Sequence, residues 1–431
     1  MKPDNVNPKS AKNGNDQSYS FTYDEFQNLT SVSVGNSTLE SYSYEVNNGR
    51  LHEITSGNNE VTRYEYDDLD RVTDIYLNNV LSYSFSYGSD GRLGRFTDHT
   101  LNEETAYEYD FSGNIIKESR SDGTRLYNDY DETNKIISTG YTKGTNDVRT
   151  IFGYGTSEEI DMVSWNTNSS EASLTYNRDY LRRNSQSLYR INNTNILVTD
   201  INYLTVQQNN EEKTTSVTES VENTFGTDHF NYEYQYDDVG NIIQITVSYD
   251  NTPLIYTYQY DSKNQLIREN NPSLNKTITY SYDNYGNITS SSTYNYTTSN
   301  SLGTALSTET YTYGNSNWKD LLTSYNNQSI TYDSTGHPLQ YYDGKLFTWS
   351  YGRLTGYTKN NDAVSYTYNA DGIRTSKTVN GVTTEYLVSG NKILQDTSPN
   401  KNIIYEYDES GSLRSLVYNP DFDSKKRKNP K

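Results

Sequence analysis

Polar and apolar residues alternate along short segments of the chain, and a turn separates the segments of each pair. In the stretch YEYDFSGNIIKES, residues 107–119, Tyr107 and Tyr109 stand two apart and therefore share one face of a strand. The β-branched run that follows the turn, at 114–119, predicts a return strand, and a similar run stands at 241–246. The unit is therefore a β-hairpin. No window shows the sustained i, i+3, i+4 apolar spacing of a helix.

The turn has a signature of its own. Asp follows the second tyrosine in most units, and Gly or an Asx residue stands four positions after that tyrosine. Asp at the first position of a type I turn can accept a hydrogen bond from the backbone two residues on, and Gly or Asx tolerates positive φ, which predicts a hairpin with a bulge. The predicted structural residues of the repeat turn are Tyr66, Asp67, Tyr109, Asp110, Gly113, Tyr236, Asp237, Gly240, Tyr282, Asp283, Gly286, Tyr368, Gly372, Tyr407, Asp408 and Gly411.

The hairpin recurs with a fixed period. The second tyrosines of the first six units follow one another at intervals of 21 or 22 residues, at Tyr23, Tyr44, Tyr66, Tyr87, Tyr109 and Tyr130. Such a period is typical of repeat architectures. About 17 units would give roughly 34 strands, far more than the ~10 at which open sheets curl or split. We expect an all-β fold of tandem hairpins that winds into a spiral, hollow, shell-like sheet, with ladders of stacked tyrosine along it.

The predicted boundaries follow the repeat. Residues 1–18 are polar and predict a disordered N-terminus, residues 19–419 form the repeat shell, and residues 420–431 form a basic tail. The Asn-, Thr- and Glu-rich stretch at about 184–229 departs from the pattern. We interpret it as degenerate repeats with long turns, and a short linker between two repeat blocks is the alternative.

Composition agrees with a thin, wet sheet. The chain has 431 residues, of which 45 are Tyr, and only 32% are hydrophobic, so tyrosine has to supply most of the buried area. The net charge of -20 opposes binding to nucleic acid and anionic lipid. The one basic run, Lys425–Lys428, is interpreted as a solvated terminus. Cysteine is absent, and no apolar run approaches the ~18 residues of a membrane helix.

Candidate chemistry is sparse. The four histidines, His52, His99, His229 and His337, show no metal spacing, and Asp228 beside His229 is interpreted as an exposed loop pair. A calcium site needs several oxygen ligands within one loop, whereas most turns here carry a single Asp. We therefore predict no catalytic residue, no cofactor and no metal.

The repeated units resemble a known family. The segments YEYDDLDRVTDI, YEYDFSGNIIKES, YQYDDVGNIIQIT, YSYDNYGNITSS and YNADGIRTSKTVNGVTTEY are similar to the Tyr-Asp (YD) repeats of Rhs and wall-associated proteins, of the B and C components of Tc toxins, and of the teneurin YD shell. The resemblance extends over residues 19–419. It implies a spiral hairpin shell around a large cavity, which in many bacterial relatives holds a toxic C-terminal domain.

The end of the chain departs from that family pattern. Rhs-type repeats continue into a core segment with aspartates for self-cleavage, and Asp421 and Asp423 do not stand in that motif, so no catalytic role is assigned to them. We expect a fragment, a truncated form or a partner subunit, with the toxin in missing sequence or in another chain.

Two functions remain open at this point. The first is a non-enzymatic shell that encloses and helps deliver a polypeptide toxin or cargo, as in bacterial competition, secreted or at the bacterial cell surface. The alternative is an extracellular adhesin that binds a cell-surface glycan through exposed aromatic side chains. Such repeats usually carry a tryptophan in most units, whereas this chain has only Trp165, Trp318 and Trp349.

Overall fold

The described residues of the chain are all strand, turn or irregular structure. The computed structural model describes residues 7–14, 16–156, 158–167, 171–208, 211–223, 229–249, 252–408 and 411–418. These residues form 38 strands and no helix, which confirms the all-β prediction. Within this part of the chain there is accordingly no helix long and apolar enough to cross a membrane.

The strands are short and follow one another closely along the chain. The first eleven are β1 Ser10–Lys12, β2 Ser18–Tyr23, β3 Leu29–Val34, β4 Ser37–Tyr44, β5 Leu51–Ser56, β6 Val61–Tyr66, β7 Val72–Leu77, β8 Val80–Tyr87, β9 Leu93–Asp98, β10 Glu103–Tyr109 and β11 Ile115–Arg120. The next fifteen are β12 Arg125–Tyr130, β13 Ile136–Lys143, β14 Asn146–Tyr154, β15 Ile160–Asn166, β16 Glu171–Arg178, β17 Asn184–Ile191, β18 Thr194–Gln208, β19 Glu211–Asn223, β20 His229–Tyr236, β21 Ile242–Tyr249, β22 Thr252–Tyr260, β23 Leu266–Asn271, β24 Lys276–Tyr282, β25 Ile288–Asn295 and β26 Ser307–Thr312. The last twelve are β27 Ser324–Tyr325, β28 Gln328–Ser329, β29 Thr331–Tyr332, β30 Pro338–Gln340, β31 Leu346–Ser350, β32 Arg353–Lys359, β33 Asp362–Tyr368, β34 Arg374–Val379, β35 Val382–Ser389, β36 Lys392–Ser398, β37 Lys401–Tyr407 and β38 Leu413–Tyr418.

Neighbouring strands in sequence pair antiparallel. In the hairpin of β6 and β7, Tyr64 lies opposite Ile75 and Tyr66 opposite Val72, with a shift of register between Glu65 and Tyr66. This shift is the bulge that the turn signature predicts. The same irregularity stands one residue before the second tyrosine in the hairpins of β10, β20, β24, β33 and β37. The described sheets are open rather than closed.

The hairpins form a thin layer. Every residue of β5, β6, β7 and β11 is half-buried, so neither face of these strands is fully buried or fully exposed. A sheet packed against a thick core would instead alternate buried and exposed positions. The tyrosine-rich composition explains this pattern, because a tyrosine ring covers its neighbours while its hydroxyl stays near water or finds a partner.

The structure divides into two compact units. Unit 1 comprises Met1–Arg125 and Tyr311–Lys431, and unit 2 comprises Leu126–Thr310. In unit 1 the later segment returns to the first hairpins. The amide of Asn58 donates to Asp333 Oδ2 at 2.8 Å, and the Ser334 hydroxyl donates to the Gly57 carbonyl at 2.6 Å. The backbone N–H of Tyr351 donates to Glu60 Oε1 at 2.8 Å, so polar contacts fasten together segments that are far apart in the chain.

Unit 2 contains a buried apolar cluster. Trp165 is 1% exposed and lies with Val163, Ala172, Leu174 and Tyr176. Large aromatic rings dominate the energy of such clusters because of the area that they bury. This small core therefore anchors the hairpins β14–β17 to one another.

The irregular stretch at about 184–229, expected as degenerate repeats with long turns, is mostly extended strand. Here β18 and β19 form a long hairpin with twelve described pairs, from Leu197 opposite Asn223 to Gln208 opposite Glu211. Thr and Val favour strands, and strand pairing satisfies the backbone of this polar stretch.

The structure describes part of the predicted N-terminal segment and none of the predicted C-terminal tail. Within the segment 1–18, where we expected disorder, Ser10 pairs with Ser20 and Lys12 with Ser18. The free edge of β2 offers backbone partners to this short polar strand, which explains its order. The basic tail at 420–431, with Lys425–Lys428, lies outside the described residues, as do Asp421 and Asp423.

Replacing Trp165 by Ala is expected to lower the free energy of unfolding by about 3–5 kcal/mol, because a large buried ring is removed from a filled cluster. Urea unfolding followed by circular dichroism measures this change. Tyr180→Ala is the matched control, since that tyrosine is 77% exposed in the same unit and its loss should leave the urea midpoint nearly unchanged. Equal effects of the two substitutions would contradict the buried cluster.

Candidate functional site

The repeated turn is closed by its aspartate. In the turn after β6, Asp67 Oδ1 accepts hydrogen bonds from the backbone N–H groups of Leu69 at 2.9 Å and Arg71 at 3.0 Å. The N–H of Asp70 donates to the Asp67 carbonyl at 3.1 Å, and Asp70 itself has a φ of 63°. One side chain thus satisfies two backbone donors that the turn would otherwise leave to solvent.

The other predicted turns share this geometry. The aspartate Oδ1 accepts the N–H four residues on at 2.8 to 3.0 Å in the turns of Asp110, Asp237, Asp283 and Asp408. The glycine at the fourth position after the second tyrosine has a φ between 80° and 98° at Gly113, Gly240, Gly286, Gly372 and Gly411. In the turn after Tyr368, Asn369 replaces the aspartate and accepts the N–H of Ile373 at 2.9 Å.

In most repeats the second tyrosine links one hairpin to the preceding one. The ladder between β5 and β6 ends at the pair Glu53 and Arg63, so the carbonyl of Leu51 lies two residues beyond the last pair. The Tyr66 hydroxyl donates to that carbonyl at 2.7 Å. Because a backbone carbonyl needs a partner when the ladder cannot supply one, the tyrosine completes the sheet where the hairpins diverge. We call this contact the tyrosine link.

The tyrosine link recurs along the chain at distances between 2.7 and 3.1 Å. It joins Tyr23 to Pro8, Tyr44 to Leu29, Tyr87 to Val72, Tyr109 to Leu93, Tyr154 to Ile136, Tyr203 to Asn184, Tyr260 to Ile242, Tyr282 to Leu266, Tyr332 to Leu322, Tyr368 to Leu354 and Tyr407 to Ile393. Tyr236, the remaining predicted tyrosine, lies opposite Ile242, the residue whose carbonyl accepts from Tyr260.

Two repeats make the same link with a different side chain. Arg178 occupies the tyrosine position of β16 and its Nη2 donates to the Ile160 carbonyl at 3.0 Å. Trp349 does so in β31, where Nε1 donates to the Pro338 carbonyl at 2.8 Å. The position therefore requires a long side chain with a hydrogen-bond donor, and sequence analysis missed these two residues because it searched for tyrosine alone.

The expected ladders of stacked tyrosine appear locally, since the ring centres of Tyr311 and Tyr325 lie 5.2 Å apart and those of Tyr325 and Tyr342 lie 4.3 Å apart. Six repeats show a different contact. Successive second tyrosines stand two strands apart, about 9.6 Å at the usual strand spacing, which is too far for rings to stack. A cation fills the interval instead: the guanidinium of Arg71 lies 4.3 Å from the ring centre of Tyr87. Equivalent contacts join Arg50 to Tyr66, Arg92 to Tyr109, Lys135 to Tyr154, Arg183 to Tyr203 and Lys392 to Tyr407. Cation–π attraction thus reinforces the tyrosine link.

The electrostatics of the repeat follow from these contacts. Burial raises the pKa of Tyr66, Tyr109 and Tyr282, so the hydroxyls of these three linking tyrosines stay protonated as donors. The hydrogen bond from the Arg71 side chain, with those from the backbone, lowers the pKa of Asp67. Both groups are therefore held in the protonation state that the repeat uses.

Two of the histidines, His99 and His337, have ordinary structural partners. His337 lies 3.1 Å from Asp333 Oδ2 and stacks on Trp349 at 4.6 Å between ring centres, and His99 Nε2 lies 2.9 Å from the Ser84 hydroxyl. In the described ranges no group of three or more His, Asp or Glu residues could hold a metal ion. Asp228 lies outside the described residues, so the predicted loop pair with His229 stays a prediction.

Comparison with known families supports the repeat assignment. Residues 5–101 match the family model of the teneurin YD-shell, and residues 260–299 match that of the RHS repeat, which confirms the resemblance seen in the sequence. No curated protein matches the chain.

Solved structures of Tc toxin chains are similar in fold. A crystal structure of TcdB2-TccC3-TEV superposes with a TM-score of 0.66 at 16% identity, covering 95% of this chain and 22% of that chain. One of TcdB2-TccC3-Cdc42 gives 0.65 at 15% identity, covering 92% and 23%. This chain thus spans less than a quarter of the length of either, and at such identities the likeness shows the fold.

Removing one tyrosine link should weaken the sheet measurably. Tyr282→Phe leaves the Leu266 carbonyl without its donor and is expected to cost about 0.5–1.5 kcal/mol in the free energy of unfolding by urea. Tyr285→Phe is the control, because that ring is 50% exposed at the turn three residues on. A Tyr282→Phe protein as stable as the control would show that the link contributes nothing to stability.

Acid should weaken the turns. Hydrogen bonds from Arg71 and the backbone lower the folded-state pKa of Asp67, so its stabilising effect is present above the unfolded value of about 3.9. That effect is lost as the pH falls through the lowered folded-state pKa. Thermal midpoints measured from pH 6 down to about pH 2 should fall less steeply in Asp67→Asn than in the parent. The exposed neighbour serves as the control, and Asp68→Asn should keep the parental slope.

Proposed function

We propose that the chain builds part of the wall of a YD-repeat shell, which encloses a polypeptide toxin or other cargo and helps to deliver it without catalysing a reaction. The tyrosine link is the observation that carries this proposal. It joins most hairpins to the preceding one through a hydrogen bond, so the sheet extends without a thick apolar core. A wall of single-sheet thickness is what an enclosure needs.

The internal contacts of unit 1 add support. The hairpin turn at residues 56–60 contacts the much later turn at 333–335 through Asn58 and Ser334. Gly35 lies against the backbone carbonyl of Asn317 with no room for a side chain, so the two backbones approach closely there as well. A sheet that returns to its own first hairpins is consistent with a winding wall.

The similar structures favour the same reading. These structures contain the Tc toxin components TcdB2 and TccC3, and one matching family is the teneurin YD-shell. Since this chain matches under a quarter of those chains, the cargo and the rest of the enclosure would come from other sequence. We propose a secreted or cell-surface location in a bacterium, with a polypeptide as the main partner.

The three tryptophans argue against the glycan-binding alternative. Trp165 is 1% exposed, Trp349 donates to a backbone carbonyl and stacks on His337, and Trp318 packs against Gly336. An aromatic cage for a ligand needs exposed rings. Each tryptophan instead holds wall segments together, which favours the shell.

Small-angle X-ray scattering of the purified chain tests the proposal. A hollow shell should give a pair-distance distribution with the shape of an empty envelope and a radius of gyration clearly above the ~22 Å expected of a compact 431-residue globule. A distribution typical of a thin rod would overturn enclosure and favour a surface stalk. A radius equal to that of a solid globule would also overturn it.

A further inference from the structure

A cavity of 160 Å³ in unit 1 has an unusual lining. It lies between one face of β9–β11 and the segments at 369–375 and 388–390. Asp98 pairs with Glu103, and Tyr107 pairs with Glu118, so these four side chains stand on the same face of the strands. The cavity is therefore built into the wall by strand register, and its volume admits a ligand group larger than water.

The most buried group in this cavity is a carboxylate with one unused oxygen. Asp98 is 2% exposed. Its Oδ1 accepts hydrogen bonds from the backbone N–H of Thr100 at 2.9 Å, from the Thr100 hydroxyl at 2.6 Å and from the N–H of Leu101 at 3.1 Å. Its Oδ2 is buried and has no hydrogen-bond partner among the described residues. A buried carboxylate oxygen without a hydrogen bond costs free energy, so a ligand that donates a hydrogen bond to this atom would be stabilised here.

The charges around the cavity are unbalanced. Its lining contains four carboxyl groups, Asp98, Glu103, Glu118 and Asp371, but a single basic side chain, Arg120. That guanidinium donates to the Val388 carbonyl at 2.8 Å and lies 3.6 Å from Glu103 Oε1. Burial raises the pKa of Glu118, against the opposing effect of the Arg120 charge, and the nearby carboxylate of Asp371 also raises it. A second cation in the cavity would relieve this excess of negative charge.

We propose that the cavity binds a guanidinium group, the side chain of an arginine on a polypeptide partner. A metal ion fits less well, because the described residues contain no group of three acidic side chains close enough to coordinate one. A guanidinium presents five N–H donors in a planar fork and can reach separated oxygens at once. Asp98 Oδ2 and the carboxylate of Glu118 would receive these donors, and the Tyr107 ring would border the plane.

Isothermal titration with Nα-acetyl-L-arginine amide tests this site on the full chain. We expect saturable binding, and little or none of the citrulline analogue, which has the same shape without the charge. Asp98→Asn should weaken arginine binding about tenfold. The asparagine keeps Oδ1 as the acceptor for Thr100 and Leu101, so the fold should survive the change.

Two further variants keep the test decisive. Glu118 lies on β11, on the same face of the sheet as Asp98, and Glu118→Gln should also weaken arginine binding about tenfold. Glu108→Gln should keep an affinity for arginine within about twofold of the parent. Glu108 lies on the other face of β10, beside Lys117, and serves as the matched control. Equal binding of arginine and citrulline, or full affinity in both cavity variants, would overturn the proposal. The cavity lies within unit 1 alone, so this result is independent of whether the chain encloses cargo.

Discussion

The fold depends on supplying a donor to one backbone carbonyl in most of the repeats. Neighbouring hairpins pair along most of their length but diverge before the turn, and the ladder between β7 and β8 stops at Asp74 and Ser84. The carbonyl of Val72 stands beyond that point, where the Tyr87 hydroxyl reaches it at 2.8 Å. A buried carbonyl without a partner is costly, so this need explains the long donor side chain at the end of most outgoing strands.

The turn could be predicted from sequence because its chemistry is local. Asp67 and Asp70 lie three residues apart, and their roles follow from hydrogen bonding to nearby N–H groups and from tolerance of positive φ. The tyrosine link could not be predicted in the same way, since the sequence shows only a repeated residue and not its partner. Arg178 and Trp349 show why. The tyrosine position needs any hydrogen-bond donor of sufficient length, whereas a sequence pattern identifies only a repeated residue type.

Contacts between distant segments of the chain could not be predicted from the sequence. Nothing in the local pattern distinguishes Asn58 from other turn asparagines, yet its amide binds Asp333, 275 residues later. The acidic cavity shows the same limit, since Asp371 joins Glu118 only through the return of the chain. Polar residues in a repeat have many equivalent positions, and only the winding of the sheet decides which of them meet.

The tyrosine link also has a direction. In every described case the donor comes later in the chain than its acceptor, by 10 to 19 residues, as in Tyr332 with Leu322 and Tyr203 with Asn184. For this link, each new hairpin therefore needs only the hairpin made just before it. A ribosome releases the N-terminus first, so the sheet can be completed one unit at a time during synthesis, and long stretches of unpaired strand need never accumulate.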